Sequence, residues 1–295
     1  MIEYFISSSI KYSYEDEKYL KNGAELLDED GKDIDADLFK RHIQKETANF
    51  IHQSYSNIIV LVGAGASVLC TNNAIDNRFG KTVAMLADLI NAELKTDSKY
   101  YSLQELADFC KYPVSVEVEE NGVGTKLNPL FNLEDFLSDI LSFEKYVPDS
   151  DYDKYILSKN KIFELIVSNT SYEYDNTYLK HSAFINTVSH LVKTPSKLTL
   201  VTTNYDTLIE DAADSIEYTV MDGFTFTHRP HFDSDMFEWN LVKDIENIKT
   251  RELEYKKNII NLLKLHGSLT WERNEKGIFR KEKGEVAEPI MIFPS

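Results

Sequence analysis

The feature that most constrains the fold is a short apolar run that ends directly in glycine. Residues 58–62 read Ile-Ile-Val-Leu-Val, a continuous β-branched run expected of a parallel strand covered on both faces. Two similar runs end in polar residues: 198–201 is followed by threonine, and 259–265 is followed by histidine. Three such runs predict a buried parallel sheet.

Between these runs the apolar period changes from that of a strand to that of a helix. The spacing over 83–94 and 133–141 predicts amphipathic helices, the second with Asn132 as its N-cap. Residues 162–167 and 184–191 predict two more helices. Alternating strands and helices predict an α/β fold, a Rossmann-like doubly wound parallel sheet.

The remaining sequence divides around this sheet. Residues 1–54 form a predicted N-terminal arm or helix, because 11–40 are dense in Asp, Glu, Lys and Tyr and need a neighbouring chain or domain to be well ordered. Residues 55–295 form the predicted sheet domain. This domain carries a large, mostly helical insertion at about 97–195 and a second one at about 222–258.

Charge and composition exclude several classes of function. The net charge of −17 argues against nucleic acid as a partner, since the densest basic stretch, 273–283, is interleaved with acids and indicates a solvated loop or hairpin. No apolar window reaches the roughly 18 residues of a membrane span, and no secretory signal is visible, so we expect a cytoplasmic protein without membrane contact. Cys70 and Cys110 are too few for a disulfide framework or a four-thiolate zinc site, and we predict no metal site at His228 and His231.

In an open α/β sheet the ligand lies at the carboxyl ends of the strands, so the residues after each strand are the candidates for chemistry. The first strand is followed by Gly-Ala-Gly-Ala-Ser at 63–67. Gly63 and Gly65 let the backbone turn sharply and approach a pyrophosphate, whose charge the following helix N-terminus would hold. Val68 occupies the third glycine position of the G-x-G-x-x-G fingerprint, so a tight turn without a ligand is the alternative interpretation.

The other two strands end in Thr-Thr-Asn-Tyr-Asp at 202–206 and in a histidine. Asp206 contributes to a ligand site, or else Asp206 or Thr207 caps the following helix, whereas the Asn204 amide is free for a ligand. His266 is a candidate base near neutral pH, with a structural role as the alternative, and Gly267 lets another backbone or a ligand approach closely. We assign no role to the other six histidines, at positions 42, 52, 181, 190, 228 and 231.

In this order the three motifs resemble those of the sirtuin (SIR2) superfamily. The matching segments are Gly-Ala-Gly-Ala-Ser at 63–67, Thr-Thr-Asn-Tyr-Asp at 202–206 and His-Gly-Ser at 266–268. Three features are similar to those of the bacterial sirtuin-like NAD hydrolases of antiphage defence. They are the Thr-Asn-Tyr-Asp form of the second motif, the segment Asn-Leu-Glu-Asp-Phe-Leu at 132–137, and the segment Lys-Leu-His-Gly-Ser-Leu-Thr-Trp at 264–271. The resemblance covers about 55–95 and 196–271. The deacylases of the superfamily carry a four-cysteine zinc module, which two cysteines cannot build, so no zinc is expected.

The resemblance implies an NAD+ glycohydrolase that takes NAD as substrate and releases nicotinamide and ADP-ribose. It implies catalytic roles for Asn204 and His266. The residues that it implies for NAD binding are Gly63, Ala64, Gly65, Ser67, Thr203, Asp206, Gly267 and Ser268, although Thr203 stands where sirtuins have glutamine. In sirtuins a later segment contacts the adenosine ribose, and no such segment follows the third motif here. We therefore expect that the domain is C-terminally incomplete or that its NAD pocket is incomplete.

Two other functions remain open. The main alternative to the NAD+ glycohydrolase is a non-catalytic NAD- or ADP-ribose-binding scaffold subunit of a larger defence complex. A dehydrogenase is a further alternative, which the missing third glycine and the histidine at a strand end disfavour. The 17 Tyr, 16 Phe and 2 Trp residues, many of them in the insertions, point to contacts with other copies in a homo-oligomer or with a partner such as an ATPase. The alternative is that these aromatic residues form an ordinary second core.

Overall fold

The computed structural model describes residues 1–292, apart from 52, 54, 72, 73, 77, 120–123 and 244–253. The chain divides into two compact units, Met1–Ser56 and Asn57–Ser295.

The first unit is a four-stranded antiparallel sheet followed by one helix. Its elements are β1 (Ile2–Ile6), β2 (Lys11–Glu15), β3 (Lys18–Lys21), β4 (Ala24–Glu25) and α1 (Ala36–Ile51). Tyr12, Ile34 and Phe39 form its core, and the Tyr12 hydroxyl donates a hydrogen bond to Glu46 Oε1 at 3.3 Å. Where the sequence predicts a polar arm, the structure thus has a small core in which the apolar ring of Tyr12 packs with aliphatic and phenylalanine side chains.

The second unit contains the parallel sheet and most of the helices. In chain order its elements are β5 (Ile58–Val62), β6 (Leu69–Thr71), β7 (Ala74–Asp76), α2 (Val83–Leu94), α3 (Leu103–Cys110), β8 (Glu117–Glu119), β9 (Thr125–Leu127), α4 (Leu133–Phe143), α5 (Asp149–Thr170), α6 (His181–Ser189), β10 (Leu198–Thr202), α7 (Leu208–Asp214), β11 (Thr219–Met221), β12 (Val242–Lys243), β13 (Glu254–Tyr255), β14 (Ile259–Lys264), β15 (Gly267–Asn274), β16 (Gly277–Arg280) and β17 (Pro289–Met291).

The predicted α/β class with a parallel sheet is confirmed. Its strand order is β11-β14-β10-β5, and all three pairings are parallel. Val62, Thr202 and Lys264 pair in register, so β5, β10 and β14 end level with one another. The three-residue strand β11 was not predicted, because so short a run has no readable period.

One face of this sheet is covered by α6 and α7. Leu198 and Leu200 of β10 and Ile260 and Leu262 of β14 are almost fully buried, in one core with Ile185 of α6 and Ile209, Ala212 and Ala213 of α7. On the opposite face Ile59 and Leu61 of β5 are each 72% exposed. The structure therefore differs from the prediction that this strand is covered on both faces.

The helices α2 to α5 pack around a core of their own. Phe136, Tyr155 and Ile162 are fully buried there, and Phe109 meets Tyr155 edge to face. Many aromatic residues between 97 and 195 belong to this second core. Their burial agrees with the second explanation given for the aromatic residues, an ordinary core, and not with a contact surface. Helix α2, which precedes the predicted insertion, also joins this core, whereas α6, which lies within it, packs on the sheet. That residues 97–195 form an insertion stays a prediction. Asn132 is the N-cap of α4, as predicted, and accepts a hydrogen bond from the Glu134 backbone N–H at 2.9 Å.

The segment after β14 forms a three-stranded antiparallel sheet in the order β16-β15-β17. Its β15–β16 hairpin confirms the hairpin predicted within 273–283. The predicted second insertion at 222–258 lies partly outside the described residues; the described parts hold a short 3₁₀ helix, Ser234–Glu238, and the β12–β13 pair. In the described ranges, no helix has the length and apolar character needed to cross a bilayer.

Candidate functional site

Two of the three motifs are joined by hydrogen bonds at the carboxyl edge of the sheet. The Ser67 hydroxyl donates to Asp206 Oδ2 at 2.9 Å and accepts from Asn204 Nδ2 at 3.1 Å. Asn204 Nδ2 also lies 3.3 Å from the carbonyl oxygen of Gly63. Ser67 and Asp206 are buried, so this network holds the Asn204 amide against the glycine turn. In the described part of the chain, Asn204 Oδ1 has no hydrogen-bond partner.

Asp206 also binds the start of α7, whose N-cap residue is Thr207. Its Oδ1 accepts from the backbone N–H of Leu208, the first residue of α7, at 3.1 Å. Both carboxylate oxygens therefore have partners within the protein. Asp206 therefore fixes Ser67 and the start of α7, and its role toward a ligand stays a prediction.

The glycine turn differs in detail from the predicted strand-to-helix turn. A 3₁₀ helix of three residues, Ala64–Ala66, follows Gly63, and the hairpin of β6 and β7 separates it from α2. The expected N-terminus of a long helix is therefore not at this turn. The first N–H groups of the 3₁₀ helix, on Ala64 and Gly65, make no hydrogen bond to the residues that the structure describes, as is usual at a helix start.

The backbone at Gly63 and Gly65 does not require glycine. Gly63 is extended, with φ −112° and ψ −175°, and a Cβ added at either position would meet no atom within 4 Å. Every other glycine in the described ranges has a positive φ. Among the described glycines, Gly63 and Gly65 are thus the two whose presence is not explained by backbone conformation. The missing side chains leave open space in front of the backbone.

His266 lies at the same edge, beside the second motif. Its half-buried ring has its centroid 6.4 Å from that of Tyr205, and its backbone oxygen accepts from Ile292 at 2.8 Å. Nδ1 of His266 is buried and has no hydrogen-bond partner in the described part of the molecule. Within the described residues, Nδ1 of this half-buried imidazole is therefore not held by a hydrogen bond.

The residues after His266 serve the fold. Gly267 has φ +92°, and a Cβ there would lie 2.1 Å from the carbonyl oxygen of Ile290, so this glycine permits the pairing of β15 with β17. Ser268 is fully buried with its hydroxyl 3.0 Å from that of Thr270, so a ligand reaches it only by displacing packed residues.

Thr203 lies in the second motif, directly after β10. Its backbone N–H donates to the carbonyl oxygen of Val62 at 3.4 Å, so it continues the pairing with β5.

A cavity of about 390 Å³ lies behind the glycine turn. Gly63 and Ala66 line it together with apolar side chains of β5, β10 and α6, and His181 contributes a polar group. Nδ1 of His181 is buried without a hydrogen-bond partner in the described ranges, and burial lowers the pKa of this histidine while the nearby Asp206 carboxylate opposes the shift. Sequence reasoning gave His181 no role, since a histidine at the start of a helix carries no distinguishing signal.

Lys264 is the second residue that sequence reasoning missed. Its side chain is 1% exposed, and its ammonium group donates to the backbone oxygens of Tyr205 and Asp206 and to Glu210 Oε1. A charged residue at the end of an otherwise apolar strand is the sequence signal that could have revealed it, because a buried charge needs partners.

The other candidate ligands lie apart from this edge or are not described. In the described ranges, no three His, Cys, Asp or Glu residues come together as a metal site. Cys110 is half-buried in the helical core, where burial raises the pKa of its thiol to about 11. His228 is exposed, and His52 and the side chain of Cys70 lie outside the described residues.

Comparison with known families agrees with the second and third motifs. The family model of the SIR2-like domain matches residues 198–284, from the start of β10 to beyond the β15–β16 hairpin. This match supports a SIR2-family member and contains Asn204, Asp206 and His266. The search of curated proteins gave no match.

Proposed function

We propose that this chain binds NAD+ at the carboxyl edge of its parallel sheet and hydrolyses it to nicotinamide and ADP-ribose. The observation that carries the proposal is the open space in front of Gly63 and Gly65, two glycines whose backbone does not require glycine, next to the Asn204 amide. The SIR2-like match over 198–284 supports it, since SIR2-like domains bind NAD.

The residues at this edge fit a dinucleotide. The N–H groups at the start of the 3₁₀ helix, with no Cβ at Gly63 and Gly65, suit the approach of a pyrophosphate. Asn204 Oδ1 can accept a hydrogen bond from a ribose hydroxyl or from water. In this proposal Ser67 acts by holding Asn204, because its hydroxyl already has two partners within the protein.

The chemistry requires alignment rather than a strong acid. The bond between nicotinamide and C1′ breaks with its electron pair moving to the pyridinium nitrogen, so nicotinamide leaves as a neutral molecule. Water adds its oxygen to C1′, and its proton passes to a base and then to solvent. Asn204 positions the reacting groups without adding positive charge near the developing cation. His266 is the base in this scheme, because its imidazole follows β14 at the same sheet edge as Asn204 and a neutral imidazole nitrogen can accept a proton.

Release of nicotinamide from NAD+ by the purified chain tests the proposal. We expect Asn204→Ala and His266→Ala to lower kcat by about 10²–10⁴-fold while the circular dichroism spectrum is unchanged. His228→Ala, at an exposed histidine, is the matched control and keeps full activity. Full activity in both site variants contradicts the mechanism. Binding of NAD+ without release of nicotinamide supports the alternative, a non-catalytic binding subunit.

The biological setting is part of the same proposal. We propose a cytoplasmic NAD-depleting effector of antiphage defence that assembles with other copies or with a partner such as an ATPase. The exposed apolar side chains of Ile59 and Leu61 support assembly, because parallel sheets are usually covered on both faces. A monomer in light scattering at micromolar concentration contradicts self-assembly.

A further inference from the structure

The ammonium group of Lys264 lies at the centre of the buried contacts behind the second motif. Lys264 is the last residue of β14 and pairs in register with Thr202 of β10. Its side chain is 1% exposed, and Nζ lies 2.8 Å from Glu210 Oε1. Its other acceptors are the backbone oxygens of Tyr205, at 3.4 Å, and Asp206. An ammonium group has three donors, and each has an acceptor here.

The two backbone acceptors belong to the loop that carries the proposed chemistry. Tyr205 and Asp206 directly follow Asn204, so hydrogen bonds to both carbonyl oxygens fix the orientation of two successive peptide groups. That orientation turns the Asp206 carboxylate toward Ser67, which in turn accepts from Asn204. The position of the Asn204 amide therefore depends on where the lysine holds the loop.

Glu210 completes the arrangement from the first turn of α7. Its Oε1 pairs with Lys264, whereas Oε2 is buried and has no partner in the described part of the chain. Burial raises the pKa of Glu210, and the charge of Lys264 opposes this shift. The pair thus links the end of β14 to α7 across the loop, at the cost of desolvating two charged groups.

We propose that Lys264 is a positioning residue of the proposed NAD+ hydrolase, acting through the loop that carries Asn204 and Asp206. This inference rests on the proposed function. With 1% of its side chain exposed, Lys264 does not contact NAD+ itself. Misplacement of a catalytic group by 1 Å costs about 10²-fold in rate, which sets the effect expected when the lysine is removed.

The test compares Lys264→Met with Lys281→Met in the full chain. Lys281 pairs with Glu272 Oε1 at 2.7 Å, a distance similar to that of the buried pair, but its side chain is 39% exposed. The double variant Lys264→Met, Glu210→Leu removes both charges of the pair, which is often tolerated, and still removes the donor to the two carbonyl oxygens. It keeps the test valid where the single variant fails to fold.

Three readouts decide the outcome. We expect both Lys264 variants to lose about 100-fold in kcat with a KM for NAD+ within about threefold of the parent value. We also expect faster hydrogen–deuterium exchange over 203–208, while Lys281→Met changes none of these quantities. A folded Lys264 variant that keeps its kcat overturns the inference.

Failure of the proposed function is distinguishable from failure of this inference. If the parent chain releases no nicotinamide, the hydrolase proposal fails, and hydrogen exchange alone decides the role of Lys264. Unchanged exchange over 203–208 then overturns the positioning role, and faster exchange confined to this loop supports it.

Discussion

Replacing Gly63 or Gly65 by alanine separates a ligand-binding turn from a merely structural one. Neither backbone conformation lies in the left-handed region, and an added Cβ meets no atom within 4 Å. Alanine at such a position restricts the unfolded chain and stabilises the fold by about 0.4–1 kcal/mol. For a unit of this size that corresponds to a rise in Tm of roughly 1–4 °C.

The same methyl group enters the space that we assign to the pyrophosphate. We therefore expect kcat/KM for NAD+ to fall by at least about tenfold, or about 1.4 kcal/mol, in a protein that is at least as stable as the parent. The assays are a thermal melt by circular dichroism and nicotinamide release at several NAD+ concentrations. Stability and activity thus change in opposite directions.

Gly267→Ala is the contrasting variant. Its φ of +92° disfavours a side chain, and its Cβ would lie 2.1 Å from the Ile290 carbonyl oxygen, so a large loss of stability is expected. A fall in Tm for Gly63→Ala and Gly65→Ala would show that the turn itself requires glycine. Unchanged kcat/KM in these two variants would refute the assignment of the space to a ligand.

Two further predictions concern the buried groups around the site. Ser67→Ala leaves Asp206 Oδ2 without its donor, so we expect a loss of about 1.5–3 kcal/mol in the free energy of unfolding, measured by urea denaturation; a variant as stable as the parent contradicts the network. Burial lowers the pKa of His181 in the folded state, so the unfolded chain binds a proton more readily below the ordinary value of 6.5. Stability is therefore full above about pH 6.5 and decreases as the pH falls below it, and His181→Gln is expected to reduce this dependence in melts between pH 5 and 8. An identical pH dependence in the parent and the variant would assign the effect to other groups.

Sequence patterns predicted the elements whose signals are local. The strand at 58–62, the helix cap at Asn132 and the β15–β16 hairpin each depend on neighbouring residues, and each appears in the structure. The core of the first unit was not predicted, because its buried residues Tyr12, Ile34 and Phe39 are scattered among charged residues. No short window of sequence contains that core.

The candidate site shows the same division. The three motifs could be recognised at the ends of their strands, and parallel pairing at one edge follows from the strand type. The contacts that define the site join distant residues: Asn204 meets Ser67 across 137 positions, and Lys264 meets the Asp206 carbonyl across 58. Such pairs have no common period or spacing.

The amino-acid sequence by itself determined the α/β class, the three apolar strands and the kinds of polar group that follow them. Only the tertiary structure decided which glycines are free of conformational demand, which carboxylate is already paired and which lysine orders the loop. The physical reason is that strand and cap preferences act within a few residues, whereas burial and hydrogen bonding depend on groups that folding alone brings together.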